Sequence, residues 1–323
     1  MHIFFNKDGL LELVFPLLRI SSLTIPLAVR WFCRSFEFMK IWGFNLFSIS
    51  FVLLGSTAFA LEPKKGIVDD HAMRGNFQRG LEALHAKKQA TPLKSLLQQL
   101  GRRKTTLEVV DPKLKNLSSS TFYEACKSSV LLVGRLYKCG KCTKWHISSA
   151  SGFAVGEDVI ATNYHVVENT DGVVMGAMDF EGKTYAVKEV LAAHKADDVA
   201  ILRVANAKLK PLALAAPAPV GTSVSVISHP DGRYFTMTKG DVSRYFVARP
   251  KTGRAERMAI TADYAKGSSG APVLDASGAV VGMVSATSSI YYNKSKGHNE
   301  NLQMVVKSCV PVSAILRLLE FAD

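Results

Sequence analysis

Past residue 128 the chain alternates short apolar runs with turn residues. SVLLVGRLY (129–137), HISSASGFAVG (146–156), DVIATNYHVV (158–167), GVVMGAMDF (172–180), KTYAVKEVLAA (183–193) and DDVAILRV (197–204) are rich in Val and Ile and are broken by Gly or Asp. After a Pro/Ala-rich connection near 206–220 the pattern resumes with TSVSVISH, YFTMTKGDVSRYF, ERMAITADY, APVLD, AVVGMVSATSS and LQMVV. Many short strands at regular spacing predict an all-β sandwich or barrel. Two runs of about six strands are expected, with no sequence repeat between them, followed by a C-terminal helix at about 310–321.

The segment before the strands reads differently. Residues 61–120 are basic and polar, with Leu81, Leu84, Leu93, Leu96, Leu97 and Leu100 at helical spacing and Pro92 between them. They predict two short helices in an extension whose role stays open between pro-segment, docking arm and linker. Met39 to Ala60 has one early lysine, an apolar run and an A-x-A end, the layout of a secretory signal peptide. Residues 1–38 are therefore read as an over-extended reading frame, 39–60 as the signal peptide cleaved near Ala60, and the product as periplasmic or secreted. The apolar run barely reaches the roughly 20 residues of a membrane-spanning helix, so no stable span is expected in the mature form.

The whole chain has 323 residues and a net charge of +13. A basic surface attracts anions, but the lysines and arginines are scattered and no aromatic-studded basic motif occurs. Nucleic acid is therefore not an expected partner.

Three segments carry candidate chemistry. TNYHVV places His165 just past a strand. DDVAIL places Asp198 directly before buried apolar residues, where a carboxylate must be hydrogen-bonded or paired. AKGSSGAPVLD sets two serines between glycines before a strand. Serine nucleophiles need a base, an acid that orients it, and backbone N–H groups for the developing oxyanion. The other mature-chain histidines lie in the extension (His71, His85), near strand ends (His146, His194, His229) or in a polar loop (His298).

These motifs, in the order His, Asp, Ser, resemble the trypsin-like (chymotrypsin-fold) serine proteases. The likeness is strongest to the bacterial exported branch related to the periplasmic heat-shock proteases, without their PDZ domains. It spans about residues 125–310. It implies two six-stranded antiparallel β-barrels, about 125–205 and 212–308, within a protease domain at 121–323, with the active site between them. It also implies a serine endopeptidase acting on protein or peptide substrates through an acyl-enzyme, with no cofactor. In G-x-S-G-x-P the nucleophile is the third residue, so His165, Asp198 and Ser269 form the implied triad. The N–H groups of Gly267 and Ser269 form the implied oxyanion hole. Ser285, Ala286 and Thr287 match the strand that pairs with substrate. Asp263, six residues before Ser269, matches the pocket-floor position that selects basic residues in trypsin. Thr287 would narrow that pocket, which favours a small or aliphatic residue before the cleaved bond, with Asp263 capping a turn. A non-catalytic peptide-binding module on the same fold is the alternative.

Four cysteines remain after residue 60. In an exported protein an even number suggests disulfides. Cys139–Cys142 is expected as a short bridge and Cys126–Cys309 as a tie between the two ends of the barrel domain. With His146 nearby, Cys139 and Cys142 could instead ligate zinc, one clear ligand short; no metal is expected.

Overall fold

The computed structural model of the chain describes residues 66–112, 115–295 and 297–320. The readings made for residues 1–60 lie outside them. Elements are numbered in chain order. The N-terminal part holds helix α1 (Asp70–Ala86), α2 (Leu93–Gln98), the short strand β1 (Thr105–Thr106) and α3 (Ser119–Cys126). Next come β2 (Val130–Tyr137), β3 (His146–Ala154), β4 (Val159–Thr162), the one-turn helix α4 (Tyr164–Val167), β5 (Val174–Met178), β6 (Thr184–His194) and β7 (Val199–Val204). Then follow β8 (Ser223–Ser228), β9 (Thr236–Ala248), β10 (Ala255–Ile260), β11 (Pro272–Leu274), β12 (Val280–Ser295), β13 (His298–Pro311), α5 (Val312–Leu316) and β14 (Leu319–Glu320).

The strands close into two six-stranded antiparallel barrels. Barrel one has the order β2-β3-β4-β7-β6-β5, and barrel two β10-β13-β12-β11-β8-β9. Closure pairs the barrel strands on both sides, while the distal part of the β12–β13 hairpin pairs only within itself. Period-two alternation within each barrel sends Leu131, Val133, Ile160, Ala200 and Leu202 into one buried cluster, and Val226, Met258, Ile260 and Val273 into another. A third cluster joins the barrels: Leu132, Phe153 and Ile201 pack with Ile227, Leu274, Met283 and Val310. Each such fully buried side chain stabilises by roughly 1.5–3 kcal/mol, so this seam holds the two barrels together.

Helix α1 starts at Asp69, whose side chain accepts from Ala72 N at 2.9 Å, a capping arrangement that satisfies one orphan amide. Its Phe77 and Leu81 are fully buried against barrel one, and Asp70 Oδ1 accepts from Tyr234 N of barrel two at 2.8 Å. Pro92 separates α1 from α2 because it has no N–H to give and its ring disfavours a continuing helix.

Two expectations are corrected. The C-terminal helix is only five residues long, and Leu319–Glu320 then pairs in parallel with Thr105–Thr106. Neither expected disulfide is formed. Cys139 and Cys142 are thiols with sulfurs 3.5 Å apart, well beyond the ~2.05 Å of a covalent bond. Cys309 is a thiol inside barrel two, 3.7 Å from the Tyr264 hydroxyl, and burial pushes its pKa up to about 12. Cys126 packs in the cluster between the barrels, beside Gly278, so the two sulfurs belong to different cores.

Candidate active site

The register of β4 on β7 pairs Thr162 with Ala200. Residues just past Thr162 therefore meet residues just before Ala200. Asn163 leaves the strand with extended backbone and caps α4, which carries His165. Asp198 sits in the turn before β7 at φ +63°, a left-handed conformation that Asp tolerates better than most residues. The result is a two-point contact: His165 Nδ1 lies 2.9 and 3.0 Å from the two Asp198 oxygens, and His165 N donates to Asp198 Oδ1 at 3.1 Å. Asn163 Nδ2 donates to the Asp198 carbonyl at 3.0 Å, which holds the turn in place.

Adjacent Asp197 faces elsewhere. It is buried and pairs with His194 Nδ1 at 2.9 Å and Arg317 at 3.2 Å.

Burial pushes the His165 pKa down. The hydrogen bond and charge of Asp198, helped by Glu168, outweigh it and hold the imidazole above its ordinary value.

Ser269 lies in the turn entering β11. Ser151 on β3 draws this turn across to barrel one: its N–H donates to the Ser269 carbonyl at 2.8 Å and its hydroxyl to the Gly267 carbonyl at 2.9 Å. Two glycines make the approach feasible. Gly267 has φ +97°, and a Cβ there would lie 2.4 Å from the His229 carbonyl. Gly270 has φ +87°, and a Cβ would lie 2.1 Å from the Ser151 carbonyl. Both positions exclude side chains on conformation and on space. Among the described residues the N–H groups of Gly267 and Ser269 have no acceptor. Ser268 is fully buried and Ser269 only half-buried, so of the two serines Ser269 is the one open to a ligand.

The Ser269 hydroxyl donates to the Ser285 carbonyl at 3.3 Å, not to His165. Ser285 Oγ in turn donates to Asp198 Oδ2 at 2.7 Å. Residues 285–287 follow the stretch of β12 held by β11, and from there the strand pairs only with β13. Ala286 and Thr287 are exposed, leaving one side of this segment open. Asp263 is 84% exposed and forms an ion pair with Lys307 at 3.2 Å. Beneath it Tyr264 is buried, its hydroxyl donating to the Ala286 and Ser308 carbonyls.

Sequence reasoning missed two supports. The Ser285 hydroxyl on Asp198 and the Ser151 clamp have no local signal, because a serine in a strand is ordinary. It also missed the role of His229, whose ring is buried behind the Gly267 turn. Its Nδ1 accepts from Phe235 N at 3.0 Å, and burial lowers its pKa to about 3.

Comparison with known proteins finds likenesses over these elements. Residues 150–283 match the trypsin-like peptidase domain. The anti-sigma-I factor RsgI9 of Acetivibrio thermocellus is 35% identical over 140 residues, covering 42% of this chain and 19% of that protein. The serine protease MT3772 of Mycobacterium tuberculosis is 31% identical over 184 residues, covering 54% of this chain and 43% of that protein. The chain thus spans less than half the length of either relative. The crystal structure of the Rv3671c protease from M. tuberculosis in its active form aligns with a TM-score of 0.49 and 24% identity, over 67% of this chain and 89% of that one. Residues 150–283 of this chain thus match a trypsin-like peptidase domain, and the proteins it is similar to include serine proteases.

Proposed function

We propose that the chain is an exported serine endopeptidase that cleaves peptide bonds through an acyl-enzyme, with Ser269 as nucleophile, His165 as base and Asp198 as its orienting acid. The observation that carries this reading is the two-point contact between His165 Nδ1 and Asp198. That contact fixes Nδ1 as the donor and leaves Nε2 free to accept a proton.

In the resting arrangement the Ser269 hydroxyl is spent on the Ser285 carbonyl. A peptide strand laid along the open side of residues 285–287 brings its own N–H to that carbonyl. Ser269 then turns toward His165. Its oxygen attacks the peptide carbonyl, its proton passes to Nε2, and the oxyanion is met by the Gly267 and Ser269 N–H groups. His165 returns the proton to the leaving amine, and water resolves the ester by the same route.

The same hydrogen bond supports the alternative, a peptide-binding module without catalysis, if Ser269 never leaves the Ser285 carbonyl. A fluorophosphonate probe separates the two. Labelling of the wild type at Ser269, abolished in Ser269→Ala and His165→Ala, is the expected result. A folded wild-type chain that stays unlabelled, with α1 in place or with the chain started near residue 119, removes the catalytic reading.

A further inference from the structure

A second cluster of chemically active side chains lies away from the cleft, at the tip of the β2–β3 hairpin. The last pair of that ladder is Tyr137 with His146, so residues 138–145 form the connection. Gly140 at φ +72° turns the chain so that Cys139 and Cys142 face the first residue of β3. The two sulfurs are 3.5 Å apart, and Cys142 Sγ is 3.1 Å from His146 Nε2. All three donor atoms lie within 4.8 Å of one another.

We propose that Cys139, Cys142 and His146 bind a zinc ion, with solvent in the fourth position. Tetrahedral zinc, with Zn–S near 2.3 Å and Zn–N near 2.0–2.1 Å, separates two sulfurs by about 3.8 Å and a sulfur from a nitrogen by about 3.6 Å. The Cys139–Cys142 and Cys142–His146 contacts, at 3.5 and 3.1 Å, have to open by about 0.3 and about 0.5 Å to reach these separations, and the third donor pair lies within 4.8 Å. Two thiolates and an imidazole suit zinc and disfavour the oxygen-seeking cations calcium and magnesium, and no carboxylate belongs to the cluster among the described residues.

The scaffold around the donors is already built. Lys138, which would repel a cation, is turned aside: its ammonium donates to the Thr143 carbonyl and lies over the Trp145 ring, 4.0 Å from the centroid. Tyr137 packs against the His146 ring at 5.6 Å. Trp145 meets His85 of α1 edge-on at 5.2 Å, and Gln78 of the same helix donates to the Trp145 carbonyl at 3.2 Å. A bound ion would therefore pin the hairpin tip on which the end of α1 rests. Both cysteines are exposed, which gives the ion an entry path. Two thiolates also neutralise its charge.

The test uses the full chain, reduced and stripped of metal. Titration with Zn²⁺ against a chromophoric chelator is expected to show one tight site per chain. Co²⁺ is expected to give tetrahedral d–d bands and thiolate-to-cobalt charge transfer. Cys139→Ser and Cys142→Ser should each weaken Zn²⁺ by more than the roughly 10–100-fold that loss of an outer-shell partner costs. His146→Ala should weaken Zn²⁺ while keeping the charge-transfer band. Near-ultraviolet circular dichroism, unchanged among the variants, shows that the fold persists. Zn²⁺ affinity equal in the wild type and the Cys139→Ser/Cys142→Ser double variant overturns the proposal. So does affinity that survives loss of His146 undiminished.

Discussion

Ser285 Oγ donates to Asp198 Oδ2 at 2.7 Å, so the strand proposed to receive the substrate also holds the acid that orients the base. One residue thereby touches two parts of the proposed machinery, with its hydroxyl on Asp198 and its carbonyl on Ser269. Ser285→Ala removes only the first contact. Asp198, whose side chain is 13% exposed, keeps its contacts with His165, which limits the loss. A penalty of about 1 kcal/mol, a fall of roughly fivefold in kcat, is expected with KM little changed. Unchanged kcat in a folded variant would show that the hydroxyl does not steady the pair.

The raised pKa of His165 sets the acid limb of activity. The proposed base works as the neutral imidazole, so kcat/KM falls as pH drops through a value above the ~6.5 of an ordinary histidine. In Asp198→Asn the hydrogen bond and charge that raise the pKa are lost while burial, which lowers it, remains. The acid limb should then move below that of the wild type, with kcat down by roughly 10⁴ as the tautomer is no longer enforced. A pH–rate profile whose acid limb stays in place in that variant contradicts the assignment.

Gly267→Ala tests the oxyanion turn. A Cβ there would lie 2.4 Å from the His229 carbonyl, at a φ that L side chains rarely adopt. The turn must move, and its N–H moves with it. A loss of about 10²–10³ in kcat is expected, with the substrate strand still binding. Pre-steady-state burst kinetics on an ester substrate measures it, and an undiminished burst rate would place the oxyanion elsewhere.

Much of this arrangement was legible in the chain, for identifiable reasons. The barrel strands announce themselves because Val and Ile recur between Gly and Asp turns. The hairpin of β12 and β13 runs past Ser289, where the apolar strand reading AVVGMVSATSS ends. Ile290, Tyr292, Leu302 and Met304 beyond it are exposed, so no buried face imposes alternation on that stretch. PVSAILRLLEFAD has helical spacing throughout, yet the helix covers only Val312–Leu316. Pairing of Leu319 and Glu320 with Thr105 and Thr106 overrides that propensity. Choosing between Asp197 and Asp198 needs the turn. The left-handed backbone at Asp198 aims it at His165, while its neighbour is taken up by His194 and Arg317. The Ser285–Asp198 contact joins residues 87 positions apart, which no local pattern reveals.

Asp263 should not confer a preference for basic residues. Its carboxylate is 84% exposed and already faces the Lys307 ammonium, which is only 12% exposed. A substrate arginine would have to displace that partner. Asp263→Asn should therefore leave the ratio of kcat/KM for arginine and alanine before the cleaved bond within about twofold of the wild type, as for most surface ion pairs. A peptide-library profile reads the ratio directly. A selective tenfold loss on arginine substrates would restore the trypsin-like role.

His229 predicts acid sensitivity of the fold apart from catalysis. Its folded pKa is about 3 because burial disfavours the charged ring, whereas the unfolded chain titrates near 6.5. The unfolded state therefore binds the proton first. The stability linked to this group is intact above about pH 6.5 and is lost as pH falls toward 3, at up to about 1.4 kcal/mol per pH unit. His165 acts in the opposite sense: its raised pKa adds stability that is complete below the unfolded value and is lost as pH rises through the folded one. The comparison must therefore be between variants at each pH. His229→Asn keeps an acceptor toward the Phe235 N–H and cannot take the charge. Urea midpoints measured between pH 7 and about pH 4 should fall more steeply for the wild type than for this variant. Parallel curves would mean that the buried ring gains its proton with no cost to the fold.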